Sequence, residues 1–283
     1  MNRSFKRSLC FSLVLILMSL SSSCVINKKN AVQRAFAESQ QHMGAGNYQE
    51  AINSYDAAYT RYPNEAHARE NFIRTVEEMK RYADTAYDAK KYDLSEEIYF
   101  VLSKNFSKFK TFEKSISFDK VYLDHKIKNC RIAQIEIQAQ NALALGNFSG
   151  ALDIYKTSER SYPDDALLQE KFLGTVSEIY QVAESARTDQ NYIMAGKVYS
   201  FLSKNFQILK RPIPSLPFTE DSLKERVRNC RSALTGKGLE LYRKGELKEA
   251  INVWEGILQF DPDNIEIKKA IENAKAQLKK IKK

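Results

Sequence analysis

The chain has 283 residues, 43% of them hydrophobic, and carries a formal charge of +9 at pH 7 from 44 basic and 35 acidic side chains. The first 23 residues combine basic side chains, an apolar run and small residues, which is typical of an export signal. Setting them aside leaves about 260 residues, enough for a sizeable helical array. A basic balance suits nucleic acid, an acidic protein or an anionic lipid surface. Since an exported chain rarely meets nucleic acid, we expect no nucleic-acid partner.

The first 23 residues predict an export signal. Arg3, Lys6 and Arg7 precede an apolar run over 9–20, and the small residues 21–23 follow it. The apolar run is too short for a comfortable transmembrane helix, which needs roughly 20 apolar residues.

Cys24 directly follows these small residues and resembles the acylated first residue of a bacterial lipoprotein. Ser21 departs from that pattern, which usually has leucine three places before the cysteine. The alternatives are an ordinary secretory signal and an uncleaved membrane anchor. Acylation would make 24–31 a short membrane tether, and Val25 after the cysteine resembles the sorting pattern of outer-membrane lipoproteins. The resemblance implies a lipid-anchored protein of the bacterial envelope, facing the periplasm.

A repeated pattern dominates the remaining residues. The segment 46–63, GNYQEAINSYDAAYTRYP, returns at 146–163 as GNFSGALDIYKTSERSYP, and its spacing returns again at 245–262. In each copy glycine can end a helix, a small residue lets two helices approach, an aromatic residue fills the space, and proline opens the next helix. These positions are Gly46, Ala51, Tyr55 and Pro63, then Gly146, Ala151, Tyr155 and Pro163, then Gly245, Ala250, Trp254 and Pro262. The pattern predicts helical hairpins.

The residues quoted above resemble the tetratricopeptide repeat, whose unit of about 34 residues has a small residue, glycine, aromatic residues, alanine and proline at this spacing. Two intervening units lack the turn glycine and the final proline but share the sequence LSKNF. The five units span 32–65, 76–109, 132–165, 176–209 and 231–264, followed by a capping helix over 264–281.

The predicted fold is therefore all-α, a TPR-like α-solenoid of about five helical hairpins over 32–283, with extended connecting helices, built from a tandem duplication of about 100 residues. Segments 107–117 and 207–217 are predicted to be loops. Cys130 and Cys230 hold equivalent places, which a solenoid separates far beyond the roughly 4.4–6.8 Å between the Cα atoms of a disulfide. We expect two buried free thiols.

The sequence carries no catalytic motif. His42, His67 and His125 are scattered, and no CxxC, HExxH, GxSxG or phosphate-binding loop of the Walker type accompanies them. No pair of carboxylates has a context typical of an acid and base pair. We expect a non-enzymatic protein with no cofactor and no metal.

The family resemblance implies that partner-binding residues lie in the groove formed by the first helix of each hairpin. The candidates are Phe36, Lys80, Tyr87, Gln140, Tyr180, Arg187 and Tyr242. Tyr and Arg dominate binding hot spots, which favours three tyrosines and one arginine of this set as anchors. The alternative is that the tyrosines pack between extended helices.

The segment 207–218, QILKRPIPSLPF, is a second candidate binding site. Its three prolines favour an extended, polyproline-like shape that could present apolar side chains to a partner. The candidate contacts are Arg211, Pro212, Ile213 and Pro214. The alternative is a stiff connector that lies on its own protein.

Together these features predict a protein–protein interaction scaffold or adaptor that serves a cell-envelope assembly or secretion complex. Its partners would be envelope proteins and, through the N-terminal lipid, a membrane; the sequence indicates no oligomeric state. The alternative function is an envelope lipoprotein that binds glycan or another small ligand, with tyrosines and Trp254 as stacking platforms.

Overall fold

The computed structural model describes residues 28–212 and 215–281, and all regular secondary structure within them is helical. The predicted site residues Cys24, Ile213 and Pro214 lie outside the described residues. The helices, in chain order, are α1 over 28–44, α2 Tyr48–Arg61, α3 Ala66–Asp88, α4 Tyr92–Lys104, α5 Phe106–Phe109, a 3₁₀ helix Lys110–Ser115, α6 Lys120–Ala144, α7 Phe148–Glu159, α8 Ala166–Thr188, α9 Tyr192–Lys210, α10 Glu220–Arg243, α11 Leu247–Leu258 and α12 Ile265–Ile281.

The helices pack against their neighbours in sequence within two compact units, Met1–Gln134 and Ile135–Lys283, which we call the N-terminal and C-terminal units. In the N-terminal unit, α3 packs on α2 and α4. In the C-terminal unit, each helix from α7 to α12 packs on the next. This arrangement confirms the predicted all-α, TPR-like fold of consecutive helix pairs.

The turns between paired helices have a left-handed backbone, the conformation in which glycine ends a helix. Gly46, Gly146 and Gly245 have φ angles of +79°, +70° and +82°. The two degenerate hairpins reach the same turn with Lys90 and Gln190, at φ angles of +59° and +60°. A residue with a Cβ adopts this conformation less readily than glycine, so the packing of the helices on either side holds these two turns in place.

Aromatic pairs form the centre of each unit. Tyr55 stacks on Phe72 with ring centroids 5.8 Å apart, and Tyr155 stacks on Phe172 at 4.9 Å. The long helices α3 and α8 supply the phenylalanines, and the small residues of α2 and α7 are fully buried beside them. The spacing of alanine and tyrosine thus predicted the core contacts correctly.

Four local predictions differ from the structure. Residues 107–115 of the predicted loop 107–117 are helical, because Phe106, Phe109 and Phe112 are buried and hold them as α5 and the 3₁₀ helix. The segment 207–210 is the end of α9 rather than a loop, with Leu209 buried.

The first helix begins at residue 28 rather than at 32, so 28–31 of the predicted tether are helical, and the tether itself stays a prediction. The repeat prolines lie in the turns before α3, α8 and α12, not at the first helical position.

Cys130 and Cys230 are free and buried, as predicted. Burial raises the pKa of the Cys230 thiol to about 11, so this group stays protonated at neutral pH. Among the described residues, no helix is both long and apolar enough to cross a membrane.

Candidate functional site

The second hairpin of the N-terminal unit holds a network of tyrosines and lysines around Asp84. The carboxylate accepts hydrogen bonds from the hydroxyl of Tyr99 and, at 3.1 Å, from that of Tyr122. The ammonium of Lys80 donates to the other carboxylate oxygen at 2.9 Å, and the Nζ atom of Lys126 lies 3.9 Å from the first. Three helices, α3, α4 and α6, therefore contribute to what we call the Asp84 network.

The lysines of this network also lie against aromatic rings. Lys126 Nζ is 5.1 Å from the ring centroid of Tyr87, and Lys80 Nζ is 5.3 Å from that of Tyr122. Burial alone would raise the pKa of Asp84, but hydrogen bonds led by that of Lys80 outweigh it and the pKa is lowered. The carboxylate is therefore charged at neutral pH, and two lysines face one acid.

The C-terminal unit contains the equivalent network around Glu184. Its Oε1 atom accepts a hydrogen bond of 2.6 Å from the Tyr199 hydroxyl and lies 3.3 Å from Nε of Arg226. Arg187 donates to Oε2 from two nitrogens, at 3.0 and 3.2 Å. Burial would raise the pKa of Glu184, but the hydrogen bonds from tyrosine and arginine lower it. We call this arrangement the Glu184 network.

The candidate tyrosines of both networks are half-buried. The Tyr87 ring lies 5.2 Å from that of Tyr92. The Tyr180 ring lies 5.0 Å from Phe218 and 6.0 Å from Tyr199. Both rings thus pack between helices, as the alternative interpretation of the sequence stated.

An open groove of about 1390 Å³ lies between α10 and α12 in the C-terminal unit. Tyr242 lines this groove together with Leu239 of α10 and Ile265 of α12. The two aliphatic side chains are 41% and 66% exposed, so they present apolar surface to solvent. The groove also has a polar border, where Arg231 bonds to Asp261 at 2.9 Å.

Trp254 forms part of the groove wall but is only 4% exposed. Its indole is packed against Gly238, where an added Cβ would fall 2.2 Å from the Nε1 atom. The ring is therefore not available as the stacking platform that the glycan-binding alternative required.

Phe36 and Gln140, the remaining candidates, occupy corresponding surfaces of the two units. Phe36 packs edge-on to Tyr55 at 6.0 Å and lies under the guanidinium of Arg74 at 5.4 Å. Gln140 lines a cleft of about 320 Å³ in the C-terminal unit, beside Gly174. We call this second feature the Gly174 cleft.

The structure therefore places the predicted residues at several sites rather than one. Lys80 and Tyr87 belong to the Asp84 network, Tyr180 and Arg187 to the Glu184 network, and Tyr242 to the α10–α12 groove. The network partners outside the selected candidates are Asp84, Tyr99, Tyr122, Lys126, Glu184, Tyr199 and Arg226, of which Asp84 and Glu184 lie at predicted groove positions. All but Tyr122 have a chemically similar residue 100 positions away, and that offset is the signal that could have selected them.

The predicted loop contributes less than expected. Arg211 is exposed. Pro212 is half-buried and lines a small cavity together with Tyr155 and Phe172. At this point the chain lies on its own unit, as a connector would. In 28–212 and 215–281, no group of three or more His, Cys, Asp or Glu side chains is placed to hold a metal ion.

Comparison with known proteins gives one positive result. No curated protein matches the chain. Residues 36–100, which include α2, α3 and part of the degenerate second hairpin, match the family model for the tetratricopeptide repeat. Repeats of this family generally mediate protein–protein interaction.

Proposed function

We propose that this protein is a non-enzymatic scaffold or adaptor of the bacterial cell envelope, lipid-anchored through Cys24 and facing the periplasm. It binds segments of partner proteins and serves an envelope assembly or secretion complex. The α10–α12 groove is the observation that carries the binding function, because it is open and is lined by Tyr242, a residue that the family resemblance implies for partner binding.

The composition of the groove supports a protein segment as its occupant. Protein interfaces have an apolar centre and a polar border. Leu239, Ile265 and Tyr242 supply apolar and aromatic surface, and the Arg231–Asp261 ion pair lies at its edge. Tyrosine contributes large contact area with few rotatable bonds, which suits Tyr242 as an anchor.

The location is supported by the N-terminal sequence alone. Basic residues, an apolar run and small residues before Cys24 are typical of lipoprotein export. The absence of aspartate after Cys24 favours the outer membrane as the destination. With Trp254 buried, glycan binding has less support than a protein partner.

Crosslinking of the full-length, tagged protein in cells, followed by mass spectrometry, tests this proposal. Leu239→Asp places a charge in the apolar part of the groove, and Leu145→Asp is its control, since Leu145 is 85% exposed and is not part of the groove lining. We expect one set of envelope proteins to be captured by the native chain and by the control, and lost with Leu239→Asp.

Cys24→Ser tests the anchor in the same experiment. We expect this variant to leave the membrane fraction and to capture less of the same set. If Leu239→Asp captured the same proteins as the native chain, the groove would not be the binding surface. If Cys24→Ser stayed in the membrane fraction, Cys24 would not carry the lipid anchor.

A further inference from the structure

The equivalent long helices of the two units, α3 and α8, differ at several positions, and one of these differences removes a large side chain. Arg74 lies in α3 of the N-terminal unit, and the corresponding residue of α8 is Gly174. This difference changes a filled surface into an open one.

In the N-terminal unit Arg74 closes the space between α1 and α3. Its Nε atom donates to Glu78 at 3.3 Å, and its guanidinium lies over the ring of Phe36 at 5.4 Å. Gln40 donates to the other carboxylate oxygen of Glu78 at 2.8 Å. One carboxylate thus has two donors, one of which is a guanidinium.

In the C-terminal unit the same space is empty. A Cβ atom added to Gly174 would have nothing within 4 Å, and the cleft beside it has a volume of about 320 Å³. Glu178 and Gln140 occupy the places of Glu78 and Gln40 and line this cleft. The carboxylate of Glu178 makes neither a hydrogen bond nor an ion pair with any residue of 28–212 and 215–281.

The charges around the cleft are unbalanced. Glu136, Glu170 and Glu178 line it together with a single cation, Lys171. That lysine is already paired with Glu136 at 3.2 Å. Three carboxylates against one ammonium leave a negative excess in a chain whose overall charge is positive.

We propose that the Gly174 cleft receives an arginine side chain from a partner protein, with the guanidinium bound by Glu178 as the guanidinium of Arg74 is bound by Glu78. The inference rests on the proposed scaffold function and names one chemical feature of the partner, a basic segment. Arginine fits better than lysine, because its planar guanidinium offers several donors in a fixed fork that can reach more than one carboxylate.

A binding assay with matched variants tests this inference. The probe is a fluorescein-labelled peptide of alternating glycine and arginine, titrated with the full chain by fluorescence anisotropy at physiological salt. In Gly174→Arg, an arginine side chain of the protein itself would occupy the cleft. This variant should bind the peptide at least about tenfold more weakly, which corresponds to about 1.4 kcal/mol. Gly174→Ala leaves the cleft open and should bind the peptide like the native chain.

The carboxylate is tested by a second pair of variants. Glu178→Gln should weaken binding about as much as Gly174→Arg, whereas Glu78→Gln, at the position already paired with an arginine, should leave it unchanged. The corresponding glycine–lysine peptide should bind more weakly than the arginine peptide.

Three results would overturn the inference: no binding of the arginine peptide, equal binding by Gly174→Arg and the native chain, or equal competition by spermidine, which would identify a general cation site. The crosslinking experiment separates this failure from failure of the scaffold function. Envelope partners lost with Leu239→Asp but retained with Gly174→Arg would leave the scaffold intact and refute the arginine site alone.

Discussion

The N-terminal and C-terminal units keep the same buried tyrosine and carboxylate but change the cations around them. Asp84 accepts from Tyr99, and Glu184 accepts from Tyr199. Lysines supply the positive charge in the first network, and two arginines supply it in the second. The comparison shows that a satisfied tyrosine hydroxyl between the helices is the structural requirement, while the surrounding cations are free to vary.

The units also differ in how the chain leaves their second hairpin. In the N-terminal unit, Phe112 of the 3₁₀ helix is 2% exposed and packs 4.9 Å from Tyr59 and 5.8 Å from Phe72. In the C-terminal unit, α9 continues to Lys210 and the equivalent position is the half-buried Pro212. At this one position, therefore, an aromatic side chain closes the N-terminal unit and a proline occupies the C-terminal unit.

The largest effect is expected from Phe112→Ala. Removing a buried phenylalanine leaves a cavity and should reduce the free energy of unfolding by about 3–5 kcal/mol. Urea unfolding followed by circular dichroism measures the loss, and hydrogen exchange should show faster exchange in α2 and α3. The matched variant Pro212→Ala should reduce the free energy of unfolding by less than about 1.5 kcal/mol. Equal reductions would mean that Phe112 and Pro212 stabilise their units equally.

The next effect comes from the tyrosine hydroxyls that the two units share. Tyr99→Phe and Tyr199→Phe each remove a hydrogen bond to a charged carboxylate, and we expect each to cost about 1.5–3 kcal/mol. The two losses should be similar despite the different cations. A loss in one unit only, measured by urea unfolding, would show that the cation type sets the strength of the network.

The sequence predicted the helices and their order because glycine, alanine and aromatic residues recur at fixed spacing. It failed at 106–115, where Phe106, Phe109 and Phe112 are spaced by three, which suits a tight 3₁₀-like helix, but polar residues hide the pattern. Hairpin propensity does not show which residues meet across α3, α4 and α6, so the Asp84 network was only partly predicted.

The pH dependence of stability separates the charge of the network from its hydrogen bonds. The pKa of Asp84 is lowered in the folded state, so its contribution is fully present above the ordinary aspartate pKa of about 3.9 and is lost as the pH falls through the lower, folded value. Asp84→Asn should therefore destabilise the protein at pH 7 and have a diminishing effect below about pH 4. The effect should be smaller than that of Tyr99→Phe, because the Asp84 side chain is 29% exposed.

Urea midpoints of the native chain and of Asp84→Asn across this pH range provide the measurement. Glu184→Gln is the matched variant of the C-terminal unit, and its effect should diminish below about pH 4.3, since the pKa of Glu184 is also lowered. An undiminished difference at pH 2.5 would show that the amide disturbs packing rather than removing a charge.

The smallest effect, and the only stabilising one, is expected from Gly174→Ala. Glycine in the interior of α8 is less favourable than alanine by up to about 1 kcal/mol, and the added Cβ meets no atom within 4 Å. The melting temperature should rise by a few degrees at most. In contrast, Gly196→Ala in α9 should lower it, because a Cβ there would fall 2.7 Å from the ring of Phe260. If Gly174→Ala also lowered the melting temperature, the space beside α8 would not be open, and an arginine side chain could not enter it.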